Sequence, residues 1–330
     1  MATILDVARE AGVGVGTVSR VLNGRERVAP GTRARVLAVI ERLDYSPNLS
    51  ARSLSRGRTD AICVLVPYLT SASVNARLQG VVEGLQSSDR ETFLQIVDSV
   101  DQRDRAIASV VEGAKPAGLL VISLPLSENV MTCLCKAEIA TVGVDVALDG
   151  VPSVTVDDIE GGRLATRFLL DRGHRAVAFV GDLDHQPLGF RSSQDRRLGY
   201  LEVLANAGIE PADEYVKTGP FGRESAHRLT RELLSLPHPP TAIFAASDIQ
   251  AFGVLEAIRS NGLRVPEDIS VIGYDDIELA PYVGLTSVHQ PLFESGQLGA
   301  DLLMALFRQA DVEDVSLAVS VVERNTVAPL

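Results

Sequence analysis

The sequence has few cysteines and no long hydrophobic run, and both absences limit what the protein can be. Its 330 residues include only three cysteines, which indicates a reducing compartment rather than a disulfide-stapled secreted domain. No stretch of the sequence is long and apolar enough to cross a membrane. Charged residues begin at Asp6, and no apolar signal-peptide core precedes them. We therefore expect a cytoplasmic protein.

Signatures of metal sites and of common enzymes are also missing. Cys133 and Cys135 form a C-x-C pair, but no second cysteine or histidine pair accompanies them at zinc-site spacing. We interpret the pair as packing thiols. The chain has no P-loop Gly-Lys-Ser/Thr and no G-x-S-x-G nucleophile elbow. We predict no metal and no cofactor.

The charges that are present are divided unevenly along the chain. Residues 1–59 contain ten arginines and five acidic residues, a net charge of +5. The whole chain carries −12, so residues 60–330 carry −17. A basic N-terminal part on an acidic body predicts that only the small part meets a polyanion.

Residues 4–43 show helical periodicity, with three apolar stripes separated by glycine-containing or polar segments. Pro30 suits the first turn of the third helix. The stripes are Ile4, Leu5, Ala8 and Ala11, then Val18, Val21 and Leu22, then Val36, Leu37, Ile40 and Leu43.

The segment AGVGVGTVSRVL places Gly12, Gly14 and Gly16 before the second stripe. A dinucleotide loop needs a preceding strand and a G-x-G-x-x-G spacing, and both are lacking here. The pattern favours a helix-turn-helix in which Gly12 is the left-handed cap of the first helix. The alternative is a three-helix cap with a solvated arginine face. In the helix-turn-helix, Val13, Val18 and Val21 pack inward, and Val15, Gly16, Ser19, Arg20 and Asn23 face a major groove.

From residue 61 the sequence alternates short apolar runs with helical stretches, which is typical of parallel α/β units. The pattern restarts near Gly173 and predicts two similar lobes. An open α/β sheet binds ligands beyond the carboxyl ends of its strands, so the cleft between the lobes is the expected pocket. The predicted strands are 61–66, 92–97, 118–123, 176–181, 241–246 and 269–274.

Several ordered motifs give the chain a resemblance to the LacI/GalR family of bacterial transcription regulators. It begins with TILDVAREAGVGVGTVSRVLNGRERVAPGTRARVLAVIERLDYSPNLSARSLSRGRT and continues to the C-terminus. The later motifs are DRGHRAVAFVG, DRRLGY, ASDIQAFGVLEAIRSNGLRVPEDISVIGYDD, LTSVHQP and VVERNT.

The resemblance implies three parts. These are an all-α helix-turn-helix headpiece over residues 1–45, a hinge helix or linker over 46–58, and an α/β two-lobed, periplasmic-binding-protein-like (type I) effector and dimerisation domain over 59–330. Leu54 would be a minor-groove wedge, the alternative being an ordinary core leucine. The DNA-binding residues implied are Val15, Gly16, Thr17, Arg20, Asn23, Tyr45, Asn48, Ala51 and Leu54.

In the body, the resemblance implies effector-binding positions, and their chemistry suits a polyol such as a sugar. Alternatively, Arg196 and Asp275 form a structural ion pair across the lobes. The implied effector residues are Arg196, Asp275, Ser192, Phe221, Asp145, Asp157, Ser247 and Gln290.

The function implied is a homodimeric transcription regulator, a repressor of carbohydrate-related genes, that binds roughly palindromic operator DNA and responds to a small-molecule effector. The rivals are a sugar-binding protein without operator function and an enzyme that uses the cleft. Against an enzyme, the adjacent pairs Asp157/Asp158 and Asp275/Asp276 need not converge on one substrate. His174 lies between a predicted helix and a predicted strand, where a structural role is favoured.

Overall fold

A computed structural model describes residues 2–22, 28–45, 59–113 and 115–330. By contacts, the chain divides into two compact units, Met1–Thr59 and Asp60–Leu330. We call them the N-terminal unit and the main unit. None of the described helices is long and apolar enough to span a membrane.

The N-terminal unit contains three helices, α1 (Ile4–Ala11), α2 (Val15–Leu22) and α3 (Pro30–Arg42). Thr3 and Asp6 cap the start of α1 reciprocally, each side chain accepting from the other residue's backbone N–H. The prediction for Gly12 is confirmed: at φ 62° and ψ 39° it ends α1 in the left-handed conformation.

Each of two predicted stripes contains one residue that is exposed and omits one that is buried. Leu5 is 60% exposed and Leu37 is 49% exposed, while Val7 and Val39 are buried instead. The buried face of α1 follows the i, i+3, i+4, i+7 spacing of a helix, and a residue at i+1 lies about 100° away. The core of the unit consists of Val7, Ala8, Ala11, Val18, Val21, Val36 and Val39.

The main unit contains two six-stranded sheets, ordered β11-β5-β4-β3-β1-β2 and β12-β10-β9-β8-β6-β7. All neighbouring strands are parallel except β12, which is antiparallel to β10. The six predicted runs are confirmed as β1, β2, β3, β6, β8 and β9. The strands are β1 (Ala61–Pro67), β2 (Glu91–Val97), β3 (Gly118–Ile122), β4 (Ala140–Val144), β5 (Ser153–Val156), β6 (Val177–Asp182), β7 (Val216–Gly219), β8 (Ala242–Ala245), β9 (Ser270–Asp275), β10 (Thr286–His289), β11 (Val315–Leu317) and β12 (Ser320–Val322).

Helices connect most of the strands, but in the described residues no helix lies between β4 and β5, and only a 3₁₀ turn lies between β9 and β10. Two short 3₁₀ turns occur at Asp213–Tyr215 and Pro281–Val283. The helices are α4 (Ala72–Gly84), α5 (Val100–Glu112), α6 (Glu128–Lys136), α7 (Asp158–Asp171), α8 (Ser192–Asn206), α9 (Arg223–Leu234), α10 (Asp248–Ser260) and α11 (Leu292–Phe307).

The two lobes are not contiguous in sequence. The first lobe holds β1–β5 and β11, and the second holds β6–β10 and β12, so the chain crosses between the lobes after β5, β10 and β11. Helix α11 returns to the first lobe and packs on α4. The carboxyl ends of the strands and these crossings therefore border one cleft.

The cysteine interpretation is wrong for the C-x-C pair. Cys63 is buried in β1, but Cys133 and Cys135 are exposed on α6. The buried residues of that helix are Met131 and Leu134, three positions apart. Cys133 and Cys135 flank Leu134 and therefore point away from the core.

Helices α4 and α11 approach each other closely through glycines. A Cβ on Gly80 would lie 1.9 Å from the Phe293 carbonyl oxygen, and a Cβ on Gly296 would lie 2.0 Å from the Arg77 carbonyl oxygen. Both obstacles are backbone atoms, so neither can be moved by a side-chain rotation. The contact holds the cleft-facing part of α4 in place.

We expect Gly80→Ala to lower the free energy of unfolding by about 1–3 kcal/mol, because the helices would have to separate. Urea denaturation of the variant measures this. Glu83→Ala, an exposed change on the same helix, should stay within about 0.5 kcal/mol of the parent. Equal stability of the Gly80 variant and the parent would contradict the packing described.

Candidate functional site

The second helix of the N-terminal unit presents one face to the core and one to the outside. The Gly14 carbonyl accepts the N–H groups of Thr17 (2.8 Å) and Val18 (3.3 Å), which begins α2 without a side-chain cap. Val18 and Val21 are buried against α1 and α3. Val15, Gly16 and Arg20 are exposed, and Thr17 is half-buried.

Contacts from α3 fix the turn before α2. The Arg35 Nε donates to the Ala11 carbonyl at 2.9 Å, and Arg42 pairs with Glu10 at 2.7 Å. Ala29 precedes α3 and provides no side-chain cap, and Pro30 lies in the first turn of the helix.

The other DNA-binding residues implied by the sequence divide into two groups. Tyr45 is half-buried and packs against the core of the N-terminal unit. Asn23, Asn48, Ala51, Leu54 and the hinge segment 46–58 lie outside the described residues.

In the main unit, a cavity of about 520 Å³ lies between the lobes, at the carboxyl ends of the strands. A second cavity of about 430 Å³ shares Ser123, Asp145, Phe190 and Ser192 with it. The structure brings seven of the eight implied effector residues to the larger cavity. They are Arg196, Asp275, Ser192, Phe221, Asp145, Ser247 and Gln290.

Backbone strain is concentrated at this cavity. Tyr68, Ser123, Asp145 and Asp275 line it and have positive φ angles of 33°, 56°, 60° and 110°. Non-glycine residues adopt such angles at a cost, and they persist where the surrounding structure demands them. These residues lie at or directly after strand ends, where the positive φ angle changes the direction of the backbone.

Arg196 is the central cation of the second lobe. Its Nε donates to Asp158 Oδ1 at 2.8 Å, and its Nη1 donates to the Ala246 carbonyl at 2.6 Å. Its guanidinium lies 3.6 Å from the centre of the Tyr274 ring. A buried guanidinium with these partners has a fixed position.

Arg196 also lies 3.5 Å from Asp275 Oδ1, so the two do form an ion pair. The alternative of a pair across the lobes is wrong in one respect. Arg196 on α8 and Asp275 on β9 both belong to the second lobe. Both residues line the cavity as well, so pairing and ligand contact are compatible.

The link between lobes is made by a different arginine. Gln290 Nε2 donates to Asp275 Oδ1 at 2.7 Å, and Gln290 Oε1 accepts from Arg77 Nη2 at 3.0 Å. Arg77 Nη2 also donates to Asp145 Oδ1 at 2.6 Å, and Ser123 Oγ donates to Asp145 Oδ2 at 2.6 Å. A continuous polar chain thus runs from the first lobe to the second.

The geometry favours Asp158 over Asp157 as a cleft residue. Asp157 caps α7, its carboxylate accepting the Glu160 N–H at 2.8 Å. Asp158 pairs with Arg196 and lines the smaller cavity. Ser247 also caps a helix, α10, but remains in the cavity wall.

Burial raises the pKa of the three carboxyl groups that line the larger cavity. Desolvation raises the pKa of Asp182 and of Asp275 to about 6, although Arg196 opposes both shifts. Desolvation also raises the pKa of Asp145, against the effect of Arg77. Burial removes water from these carboxyl groups and so disfavours their charged form.

Two residues that the sequence analysis weighed as catalytic candidates, His174 and Asp276, do not line the larger cavity. His174 is buried, with Nδ1 3.0 Å from Thr241 Oγ1 and Nε2 3.0 Å from the Ala328 carbonyl, which confirms its structural role. Asp276 turns away from Asp275 to contact His289 and Arg324. Among the described residues, no cluster of three His, Cys, Asp or Glu side chains could hold a metal ion.

Comparison with known proteins agrees with this two-part organisation. Residues 3–48 match the bacterial regulatory proteins of the lacI family, and residues 166–327 match a periplasmic binding protein-like domain. The HTH-type transcriptional repressor PurR of Escherichia coli is 32% identical over 336 residues, which covers 99% of this chain and 97% of PurR. The chain belongs to the LacI family.

Solved structures of LacI-family proteins share the fold. The lac repressor dimer bound to operator and the anti-inducer ONPF is 28% identical, with a TM-score of 0.81 and 99% of both chains covered. The transcriptional regulator CelR in complex with cellobiose is 31% identical, with a TM-score of 0.72, covering 99% of this chain and all of CelR. The protein is thus a DNA-binding transcription regulator with a helix-turn-helix N-terminal unit.

Sequence reasoning missed several cleft residues of this LacI-family chain, and three of them show which signals the sequence offers. They are Arg77, Ser123 and Asp182. Ser123 and Asp182 fall at the ends of predicted strands, which is a usable signal. Arg77 lies inside a helix, where sequence alone does not distinguish a buried arginine from a solvated one.

The raised pKa of Asp182 predicts a pH-dependent stability. Its folded-state value of about 6 exceeds the ordinary value of 3.8, so the folded state holds the proton more tightly and ionisation is destabilising. We expect Asp182→Asn to be more stable than the parent at pH 7.5 by about 1–3 kcal/mol. The advantage should develop between about pH 4 and pH 6 and level off above.

Urea denaturation across that pH range measures the difference. Asp149→Asn, which removes a carboxyl group at an exposed position, is the matched control. A constant difference for Asp182→Asn would show that burial does not hold the proton on this carboxyl group.

Proposed function

We propose that the protein is a cytoplasmic, homodimeric repressor that binds a roughly palindromic operator through α2. Its operator affinity changes when a sugar occupies the cleft of the main unit. The observation that carries the proposal is the presence, in one chain, of an outward-facing α2 in a basic unit and a polar cleft closed by both lobes.

The exposed face of α2 supports major-groove reading. Arg20 is exposed, and a guanidinium can donate a bidentate pair to guanine O6 and N7. Val15 offers an apolar contact to a thymine methyl group, and Gly16 leaves room for close approach. We propose residues 1–45 as the headpiece, and residues 46–58 as a hinge whose Leu54 enters the minor groove.

The cleft supports a polyhydroxylated effector. Guanidinium and carboxylate groups form paired hydrogen bonds with neighbouring hydroxyls. Phe221 is 51% exposed at the cavity wall and can stack on a sugar face. CelR, which shares the fold, has been solved with cellobiose.

An exposed apolar surface supports a homodimer, as in the lac repressor dimer. Strand β2 is at the edge of its sheet, and Phe93, Leu94 and Ile96 are each more than 40% exposed. Val82 on α4 is exposed too. Apolar side chains at an unpaired edge are typical of an interface.

Two other functions make different predictions. An exported sugar-binding protein would have no use for a DNA-binding unit, and deleting residues 1–59 would leave all of its activity. For a regulator, the deletion removes DNA binding and keeps effector binding. An enzyme would convert a bound sugar, and we expect no turnover.

We expect Arg20→Ala to weaken specific operator binding by about 1–3 kcal/mol, because the guanine contact is lost. Footprinting on the DNA beside its own gene, at fixed salt concentration, locates the site and measures the affinity. Arg9→Ala, an exposed arginine on α1 that pairs with Asp6, is the matched control. If no DNA fragment binds better than random sequence, with or without sugars, the regulator proposal is wrong.

We expect Leu94→Glu combined with Ile96→Glu to produce a monomer, because both side chains share one face of β2 and charge there opposes association. Light scattering after size-exclusion chromatography measures the mass. Leu198→Glu, an exposed leucine on α8, should remain dimeric. A dimeric double variant would place the interface elsewhere.

A further inference from the structure

A loop of the second lobe inserts its tip into the core of the first lobe. The loop covers residues 183–191 and connects β6 to α8, so we call it the β6–α8 loop. Leu188 at its tip is 1% exposed and belongs to a buried hydrophobic cluster. Among the described residues, the other buried members of that cluster lie between Cys63 and Leu148, in the first lobe. Phe190 is half-buried against the same cluster.

Side chains of the first lobe pack around the tip. The centre of the Phe190 ring lies 6.3 Å from the centre of the Tyr68 ring. A Cβ on Gly189 would lie 3.3 Å from the Pro125 Cγ, and the φ of 81° at Gly189 is one that glycine adopts easily. The Pro125 carbonyl accepts from Arg103 Nη1 at 3.1 Å, which fixes the first-lobe side of this contact. The tip therefore packs on the first lobe, although the chain enters and leaves it from the second.

Hydrogen bonds hold the base of the β6–α8 loop on the second lobe. The Leu183 N–H donates to the Gly219 carbonyl, at the end of β7, at 3.0 Å. Arg197 Nη2, on α8, donates to Asp184 Oδ1 at 2.5 Å. Only residues 185–187 lie between these anchors and the buried tip. Since both ends of so short a stretch are held, separation of the lobes would pull the tip out of the first lobe.

The β6–α8 loop also forms part of the wall of both cavities. Gln186 and Pro187 line the larger cavity, and Gly189 and Arg191 line the smaller one. Phe190 lines both. Docking of the tip is favourable because it removes apolar side chains from water. Withdrawal of the tip would open both cavities to solvent together.

We propose that the β6–α8 loop is a latch that holds the two lobes together, and that the lobes separate only when Leu188 leaves the core of the first lobe. The latch is built from the chain's own side chains. The protein therefore populates the latched arrangement by itself, and a bound effector shifts an equilibrium that already exists. The inference concerns the main unit and depends neither on operator binding nor on the identity of the effector.

Tryptophan fluorescence tests the docking, because the chain contains no tryptophan of its own. Phe190→Trp in the full-length protein places a single reporter at the tip. We expect Leu188→Ala in that background to raise the acrylamide quenching constant at least about twofold, because the tip leaves the core and the indole ring meets water. Leu183→Ala, at an exposed leucine of the same loop, is the matched control and should leave the constant unchanged. Equal quenching in the two variants would overturn the latch.

Thiol labelling tests whether the tip is released without unfolding of the core. Leu188→Cys is combined with Cys133→Ser and Cys135→Ser, which remove the exposed thiols and leave Cys63 buried in β1 as a reporter of unfolding. We expect a water-soluble maleimide to modify the new thiol at least about tenfold faster than Cys63, and at least about tenfold more slowly than Cys133 in the parent. Peptide mass spectrometry distinguishes the thiols. A new thiol as protected as Cys63, or as reactive as Cys133, would overturn the latch.

A further substitution in the labelling background tests whether release of the tip accompanies separation of the lobes. Gln290→Ala removes the polar link between Arg77 and Asp275. We expect it to speed modification of the new thiol at least about fivefold, because the lobes are then held by fewer contacts. Gln102→Ala is the matched control, since the Gln102 side chain accepts from a backbone N–H within the first lobe. An unchanged rate with Gln290→Ala would show that the tip moves independently of the lobes and would overturn the proposal.

Discussion

Two buried arginines line one cleft, and each must pair with a carboxylate. The main unit depends on this constraint. Arg77 and Arg196 come from different lobes, and each is almost fully buried. A buried guanidinium without a carboxylate partner destabilises a fold strongly. Asp145, Asp158 and Asp275 provide those partners from strand and helix ends, and Gln290 joins the two groups. The ends of β4 and β9 place Asp145 and Asp275 beside these arginines.

Because the lobes are interleaved, this chain of contacts joins them at the points where the polypeptide crosses from one to the other. The chain crosses between the sheets three times, and Gln290 immediately follows β10 at the second crossing. A ligand that contacts Arg77 and Arg196 together touches both lobes, so its binding free energy depends on their separation. Such a ligand shifts the population of lobe arrangements by its differential affinity for them. A dimer surface on β2 and α4 would transmit that shift, because α4 also carries Arg77.

Sequence reasoning recovered the elements with strong local signals. Six nearly continuous apolar runs became strands, five of them buried and β2 largely exposed, and Gly12 became a helix cap because glycine adopts positive φ easily. It missed short strands such as β5 and β11, whose pairing is decided by distant residues. It chose Asp157 over Asp158 because adjacent acids look alike in sequence, whereas one caps α7 and the other meets Arg196. Leu37 was wrongly predicted to be buried because it is apolar and follows the buried Val36, although adjacent residues on a helix point about 100° apart.

The most direct test of the account measures the coupling between sugar and operator in both directions. Fluorescence anisotropy gives the operator Kd with and without a saturating neutral sugar, and calorimetry gives the sugar Kd with and without a saturating operator, at one salt concentration. The account predicts that both affinities change by the same factor, as linkage requires, and that this factor differs from one. A sugar that binds the cleft and leaves the operator Kd unchanged would contradict it.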